Sequence, residues 1–259
     1  MSRLRARCPD CRTLTAVAFE EGYECHSCGR EFGAGLVRVP RAWGDGGESM
    51  VEAASLPLPY PETAVIEEDR LVEQNLALAA ALPERPLVLG GCCCSHIGAV
   101  EGLASRHDRL AVVWFDAHGD LNTPETSPSG NVWGMPLRML LDSGTVRVED
   151  AALVGARDLD PPEEAFIAEA GLRTGDEGIT AALVGVDAVY VALDVDVLDP
   201  EDSVTPFMPH PGGPSVAEVE ATLGRIRAAA PVAGLGLTGV AGVPENVPSL
   251  VRFAQALGI

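Results

Sequence analysis

The chain has 259 residues, 47% of them hydrophobic, which is enough for one ordinary α/β domain and a small appendage. Its 18 basic residues are all arginine and face 38 acidic ones, for a net charge of −20. Such a surface argues against broad nucleic-acid or anionic-membrane binding, and the lack of lysine excludes a Schiff-base enzyme, a lysine-anchored PLP site and a standard P-loop. No apolar run approaches the roughly 20 residues needed to span a membrane. Met1-Ser2-Arg3 leads to cysteines rather than to a signal-peptide core, so the expected location is cytoplasmic.

Residues 1–40 read as a zinc ribbon. Cys8-Pro9-Asp10-Cys11 and Cys25-His26-Ser27-Cys28 are two C-x₂-C knuckles around a segment with β-formers Val17, Phe19 and Tyr23. Four thiolates at this spacing predict a tetrahedral structural Zn²⁺ site. So short a segment has almost no core, so the metal would supply much of its folding energy. Six arginines against five acidic residues leave it nearly neutral. A weak nucleic-acid patch at Arg3, Arg5, Arg7 and Arg12 is opposed by the acidic body, and a packing, oligomer or lid role is expected instead.

Residues 41–63, rich in Gly and Pro, read as a linker onto a main domain at 64–259. Apolar positions over Ala64 to Leu82 predict a helix before the strand Leu87-Val88-Leu89, which Gly90-Gly91 ends. Strands are expected at Leu110 to Phe115, Ala151 to Ala156, Ala188 to Leu193 and Val232 to Leu237, and helices at Val216 to Ala229 and Ser249 to Leu257. Alternating strands and helices favour an α/β fold with a parallel sheet, whose ligands bind beyond the carboxyl ends of the strands.

Two of these strands end in carboxylates. Leu110 to Phe115 runs into Asp116-Ala117-His118-Gly119-Asp120, and Ala188 to Leu193 runs into Asp194-Val195-Asp196. Residues two apart share a face of a strand, so each set begins to converge as its strand ends. Four aspartates and a histidine suit hard divalent ions, with Mn²⁺ tolerating imidazole beside carboxylate. Four negative charges balance two such ions, so a binuclear centre is expected.

At these residues the chain resembles the arginase and agmatinase superfamily, the ureohydrolases. Asp116-Ala117-His118-x-Asp120-x-Asn122-Thr123-Pro124, Ser129-Gly130-Asn131, Gly134-Met135-Pro136-Leu137, Gly155-x-Arg157-Asp158-x-Asp160-Pro161, Asp194-Val195-Asp196-x-Leu198-Asp199-Pro200 and Gly212-Gly213 follow in family order over roughly residues 55–259. The resemblance implies a three-layer α/β/α fold, a binuclear manganese centre at the carboxyl edge of a parallel sheet, and trimers or hexamers. It implies a hydrolase of linear non-peptide C–N bonds, with a metal-bridging hydroxide attacking a guanidinium or amidine carbon. Asn122, Ser129 and Asn131 match positions that hydrogen-bond a substrate α-carboxylate and Asp160 one near an α-amino group, so an amino-acid substrate with a guanidino, hydroxyguanidino, formimidoyl or amide side chain is expected. Ser129-Gly130-Asn131 also reads as an ordinary turn, and Arg157 with Asp158 as a structural ion pair.

Three departures bear on the chemistry. Gly90-Gly91-Cys92-Cys93-Cys94-Ser95-His96 replaces the family's Gly-Gly-Asp-His-Ser, which puts Cys93 at a histidine ligand; His96 would take that place only after a three-residue shift of register. A thiolate there would favour Zn²⁺ or Fe²⁺ over Mn²⁺ in that half of the centre. Trp133 stands where arginases carry a proton-shuttling histidine, so leaving-group protonation falls to water, Asp120 or His210. Gly239 stands where the family has a guanidinium-gripping glutamate, with Glu245 as a compensating candidate. The rival reading is a metal-containing binding or scaffold protein that lost catalysis with these two residues.

Overall fold

The computed structural model describes residues 5–202, 204 and 206–259. The first four strands, β1 (Arg5–Ala6), β2 (Ala16–Phe19), β3 (Gly22–Cys25) and β4 (Glu31–Phe32), form an antiparallel sheet in sequence order. Next come β5 (Gly35–Val39), β6 (Glu62–Val65), β7 (Pro86–Gly90), β8 (Leu110–Phe115), β9 (Ala151–Val154), β10 (Arg173–Thr174), β11 (Ala188–Asp194) and β12 (Val232–Thr238). These make one sheet in the order β10-β9-β8-β11-β12-β7-β5-β6 with every pair parallel.

Every residue of β8 and β11 is buried, as expected of strands covered on both faces. Alternate residues feed two separate cores. Ala111, Val113 and Phe115 pack with Ile179 of α5 (Gly175–Ala182), Leu223 of α6 (Val216–Ala229) and Phe253 of α7 (Val247–Ala256). Leu110, Val112 and Trp114 pack on the other face with Leu78 of α1 (Leu71–Ala81), Val100 of α2 (Ser95–Ala104) and Leu140 of α3 (Pro136–Asp142). The result is a three-layer α/β/α domain. Helix α4 (Pro161–Ala170) packs Phe166 and Ile167 against the second core.

Two expected boundaries move. The segment 35–39, assigned from sequence to the ribbon, is β5 inside the large sheet, so the small sheet ends near residue 33; buried Leu36 and Val37 explain this, since they fill the main cores. The expected helix over Ala64 to Leu82 begins only at Leu71, because Ala64 and Val65 pair with β5 as the edge strand β6. The expected linker at 41–63 holds a 3₁₀ segment, Gly47–Ser55, and the start of β6.

The small sheet attaches where the large strands begin. Arg7 and Glu62 exchange two backbone hydrogen bonds of 2.9 and 3.0 Å, and Gly35, the first residue of β5, packs against Tyr23 so closely that an added Cβ would meet its ring at 2.8 Å. The strand carboxyl ends lie at the opposite edge, so the small sheet is not a lid over them. Of the basic residues considered for a nucleic-acid patch, Arg3 lies outside the described residues. Among those described, no helix is long and apolar enough to cross a membrane.

Candidate metal centres

In the large sheet, the connection leaving β8 leads to β9 on one side and that leaving β11 leads to β12 on the other, while β8 and β11 are neighbours. Their carboxyl ends therefore open a crevice at the topological switch point, where open α/β sheets bind ligands. Phe115 pairs with Leu193 and Asp194 with Thr238, which sets Asp116, Asp194 and Thr238 at one level along that edge.

The side chains form two three-donor groups that share Asp116. Donor atoms of Cys93, Asp116 and Asp120 lie within 4.8 Å of one another, as do those of Asp116, His118 and Asp196. His118 Nδ1 is 3.2 Å from Asp116 Oδ1 and 3.0 Å from Asp196 Oδ2. Asp194 adjoins the first group: Cys93 Sγ is 2.9 Å from its Oδ2, and its Oδ1 accepts from the Asp196 amide at 3.0 Å. Asp120 holds a left-handed backbone, φ 52°, and its buried Oδ2 has no hydrogen-bond partner. Strain of this kind at a non-glycine residue costs of order 1–3 kcal/mol and concentrates at functional sites.

The electrostatics show a cluster short of positive charge. Burial raises the carboxyl pKa of Asp194 to about 7, with Asp196 adding to it, and that of Asp196 to about 6, with Asp116 adding. Burial and neighbouring aspartates also raise Asp116, and raise Asp120 well above the usual carboxylate range. Burial and the charge of Asp194 push the Cys93 thiol well above its ordinary value. Burial alone would lower His118, but its hydrogen bonds to Asp116 and Asp196 outweigh that and raise it to about 12. Oxygen-rich donors, an orphaned carboxylate oxygen and mutual repulsion in one buried cluster fit divalent cations.

A cavity of about 180 Å³ opens above the cluster. Of the expected substrate residues, Asn122, Ser129 and Asp160 line it, and Asn122 Nδ2 donates to Asp160 Oδ2 at 2.8 Å. Asn131 does not: its Oδ1 accepts from the Asp45 amide at 2.8 Å, because the 41–46 segment folds over this turn. His210 lies at the rim rather than in the lining, its Nδ1 3.6 Å from Asp158 Oδ2. Glu245 is exposed and away from the cavity, so it does not stand in for the missing glutamate.

Position 239 itself has no room for a side chain: its φ is +62° and a Cβ would meet Asp194 Oδ1 at 1.7 Å. Trp133, with Met50, Phe207 and Met208, makes an apolar wall. The proposed Arg157–Asp158 ion pair does not form. Arg157 instead donates to the carbonyls of Gly155, Asp196, Val197, His210 and Pro211, tying together the loops that follow β9 and β11. Asp158 faces the two histidines, 3.8 Å from His118 Nε2.

Sequence reasoning passed over Glu163, a buried lining residue that accepts from the amides of Leu121 and Asp160, both at 2.9 Å. Its signal was present as Asp160-Pro161-Pro162-Glu163, the N-cap and N3 spacing of a capping box. The structure brings Cys93, not His96, among the carboxylates. His96 lies beneath them, buried between Tyr190 and Thr238.

In the small sheet, the sulfurs of Cys8, Cys11, Cys25 and Cys28 also lie within 4.8 Å of one another, with Cys8–Cys28 at 4.0 Å and Cys11–Cys25 at 3.9 Å. A tetrahedron with Zn–S bonds of about 2.3 Å has edges of about 3.8 Å, so the set fits that ion. The Thr15 hydroxyl, 3.2 Å from Cys25 Sγ, lowers that thiol to about 6.

A parallel α/β/α domain with clustered aspartates at its switch point has the architecture of the arginase fold, and residues 49–243 match the family model described as Arginase family. The chain belongs to the arginase family. It is 38% identical over 175 residues to an arginase of Bacillus caldovelox, an alignment covering 55% of this chain and 58% of that one. Over 158 residues it is 40% identical to an arginase of Bacillus subtilis (strain 168), covering 51% and 53%. These alignments span little more than half the length of the curated relatives. The native structure of the Bacillus caldovelox arginase is similar with a TM-score of 0.74 at 26% identity, covering 87% of this chain and 98% of that one.

Proposed function

We propose that the large domain is a metal-dependent hydrolase of guanidino or amidino C–N bonds. The observation that carries this is the pair of three-donor groups sharing the buried Asp116 at the sheet switch point. In this reading Cys93, Asp116, Asp120, Asp194, His118 and Asp196 hold two divalent ions, manganese being the expected metal, with the Cys93 half better suited to a softer one. When bound, such ions supply a water acidic enough to act as nucleophile near neutral pH.

The chain's own residues do the rest. Asp120, one oxygen of which has no partner within the protein, would hold the attacking water and carry its proton to the departing amine. His118 and Asp158 hold the mouth of the crevice. Asn122, Ser129 and Asp160 bind the polar end of a small substrate, an amino acid in the expected reading, while Trp133 and the two methionines exclude water from the reacting end. With Gly239 unable to carry a carboxylate, the guanidinium is gripped less tightly than a glutamate would grip it, and high KM is expected.

The cysteine module is a structural zinc site in the same reading, and self-association into trimers or hexamers belongs to it. The test is turnover: metal-loaded protein offered a panel of guanidino and amidino compounds, with release of urea, ammonia and amine measured. Tight binding of divalent metal without turnover of any of them would favour the scaffold reading instead.

A further inference from the structure

Beneath Cys93 and Asp194 runs a chain of buried polar groups that the proposed reaction does not use. Tyr190 Oη is 3.0 Å from His96 Nδ1, and His96 Nε2 is 3.1 Å from Thr238 Oγ1. Thr238 Oγ1 is 3.1 Å from Asp194 Oδ2 and 3.3 Å from Cys93 Sγ. Tyr190, His96 and Thr238 are all fully buried.

With Asp194 ionised, as a metal ligand is, the directions along the chain from Tyr190 to Asp194 follow from it. A carboxylate only accepts, so the Thr238 hydroxyl donates to Asp194 and must itself accept from His96. His96 therefore carries its proton on Nε2, which leaves Nδ1 to accept from the Tyr190 hydroxyl. Burial holds His96 neutral, with its pKa down to about 3, as this arrangement requires.

A second feature shows that the chain is built in. Gly236 lies in the middle of β12, where glycine is less favourable than alanine. A Cβ there would come within 2.1 Å of Tyr190 Oη and 2.4 Å of His96 Nδ1. The glycine clears the space in which the two side chains meet. Edge contacts of the imidazole with the rings of Trp114 and Tyr190, at 5.0 and 5.9 Å, fix its plane.

We propose that Tyr190, His96 and Thr238 are positioning residues that orient Asp194 as a ligand, an outer support supplied from α2, β11 and β12. The inference rests on the reading of Asp194 as a member of a metal centre. Outer partners of this kind fix ligand orientation, and their loss typically costs 10–100-fold in metal affinity.

The test uses the full chain, stripped of exchangeable metal and titrated with Mn²⁺, alongside ¹⁵N-histidine spectra of the same samples. Thr238→Val should weaken one of two Mn²⁺ binding steps by about 10–100-fold, and Thr238→Ser should restore it. Tyr190→Phe keeps the ring packing and should lower affinity less while broadening the single Nε2–H tautomer of His96. Wild-type Mn²⁺ affinity in both Thr238→Val and Tyr190→Phe, or a His96 proton on Nδ1, would overturn the proposal. Asp194→Asn separates the two layers of the argument. If it leaves Mn²⁺ binding unchanged, the metal centre itself is misplaced; if it removes an ion while Thr238→Val does not weaken binding, only the positioning role fails.

Discussion

The cysteine module and the carboxylate centre gather their donors in opposite ways. Cys8, Cys11, Cys25 and Cys28 come from two knuckles within 21 residues, on an antiparallel sheet whose own buried core, among the described residues, is Ala6, Cys8, Ala16, Tyr23, Cys25 and Phe32. The centre draws on residues from Cys93 to Asp196, set at one level by the register of β8, β11 and β12. A site made of local turns on a small core needs its ion to fold, whereas a site at the edge of a large sheet is held by packing that exists without it.

That contrast is sharpest under metal loss. Cys25→Ser with Cys28→Ser should abolish zinc binding and order in the small sheet, since ions in such sites contribute apparent energies of roughly 10–16 kcal/mol. The large domain should stay folded and active, because the module sits at the opposite edge of the sheet. Zinc analysis, proteolysis of the first 33 residues and turnover check this together; activity lost in step with the module would break the comparison.

At the centre the reverse is expected. Asp194→Asn or Asp196→Asn should leave a folded protein that lacks one ion and has lost turnover by at least about 100-fold, beyond the usual outer-support effect. Circular dichroism with metal analysis and kinetics would show it. Activity retained by both variants would rule out the binuclear reading. Cys93→His should then raise Mn²⁺ affinity by about tenfold, since a neutral imidazole replaces a thiol that must ionise against nearby carboxylates. Unchanged or weaker Mn²⁺ binding would argue that the sulfur is not a ligand.

A smaller effect separates the metal-free and loaded states by pH. The raised values of Asp194, about 7, and Asp196, about 6, mean that their protonated forms are favoured on folding. Their contribution is complete below the unfolded value of about 3.9, and it is lost as pH rises through 6 and 7. Metal-free protein should therefore melt a few degrees lower at about pH 8 than at about pH 5.5, with the difference abolished or reversed by Mn²⁺, which competes with those protons. Parallel melts with and without metal provide the measurement. The smallest change is expected for His210→Ala: as a rim residue it should alter turnover by less than about threefold, against the 10²–10⁴ expected of a general acid.

How much of this was legible in the chain follows from the same distinction. The strand Leu110 to Phe115 and the helix Val216 to Ala229 were readable to the residue, because an apolar run ending in Asp-x-His-x-Asp and a helical run between breakers are local signals. So were the four cysteines and the alternating aspartates, whose spacing is itself the chemistry. β5 was hidden, since a five-residue strand next to the cysteines looks like part of their module until a partner strand claims it. Asn131 and His210 were named from position in a motif, yet the fold of residues 41–46 and the Arg157 staple decide where those side chains point.

Sequence by itself thus determined the donor types, their local alternation and the α/β class, because periodicity and spacing are properties of a few neighbouring residues. Only the tertiary structure decided that Cys93 rather than His96 faces the carboxylates, that Gly239 has no room for a side chain beside Asp194, and that Gly236 opens a place for His96 and Tyr190. Each of those outcomes depends on distances between strands and helices far apart in the chain, which register and close packing fix and which no short stretch of residues encodes.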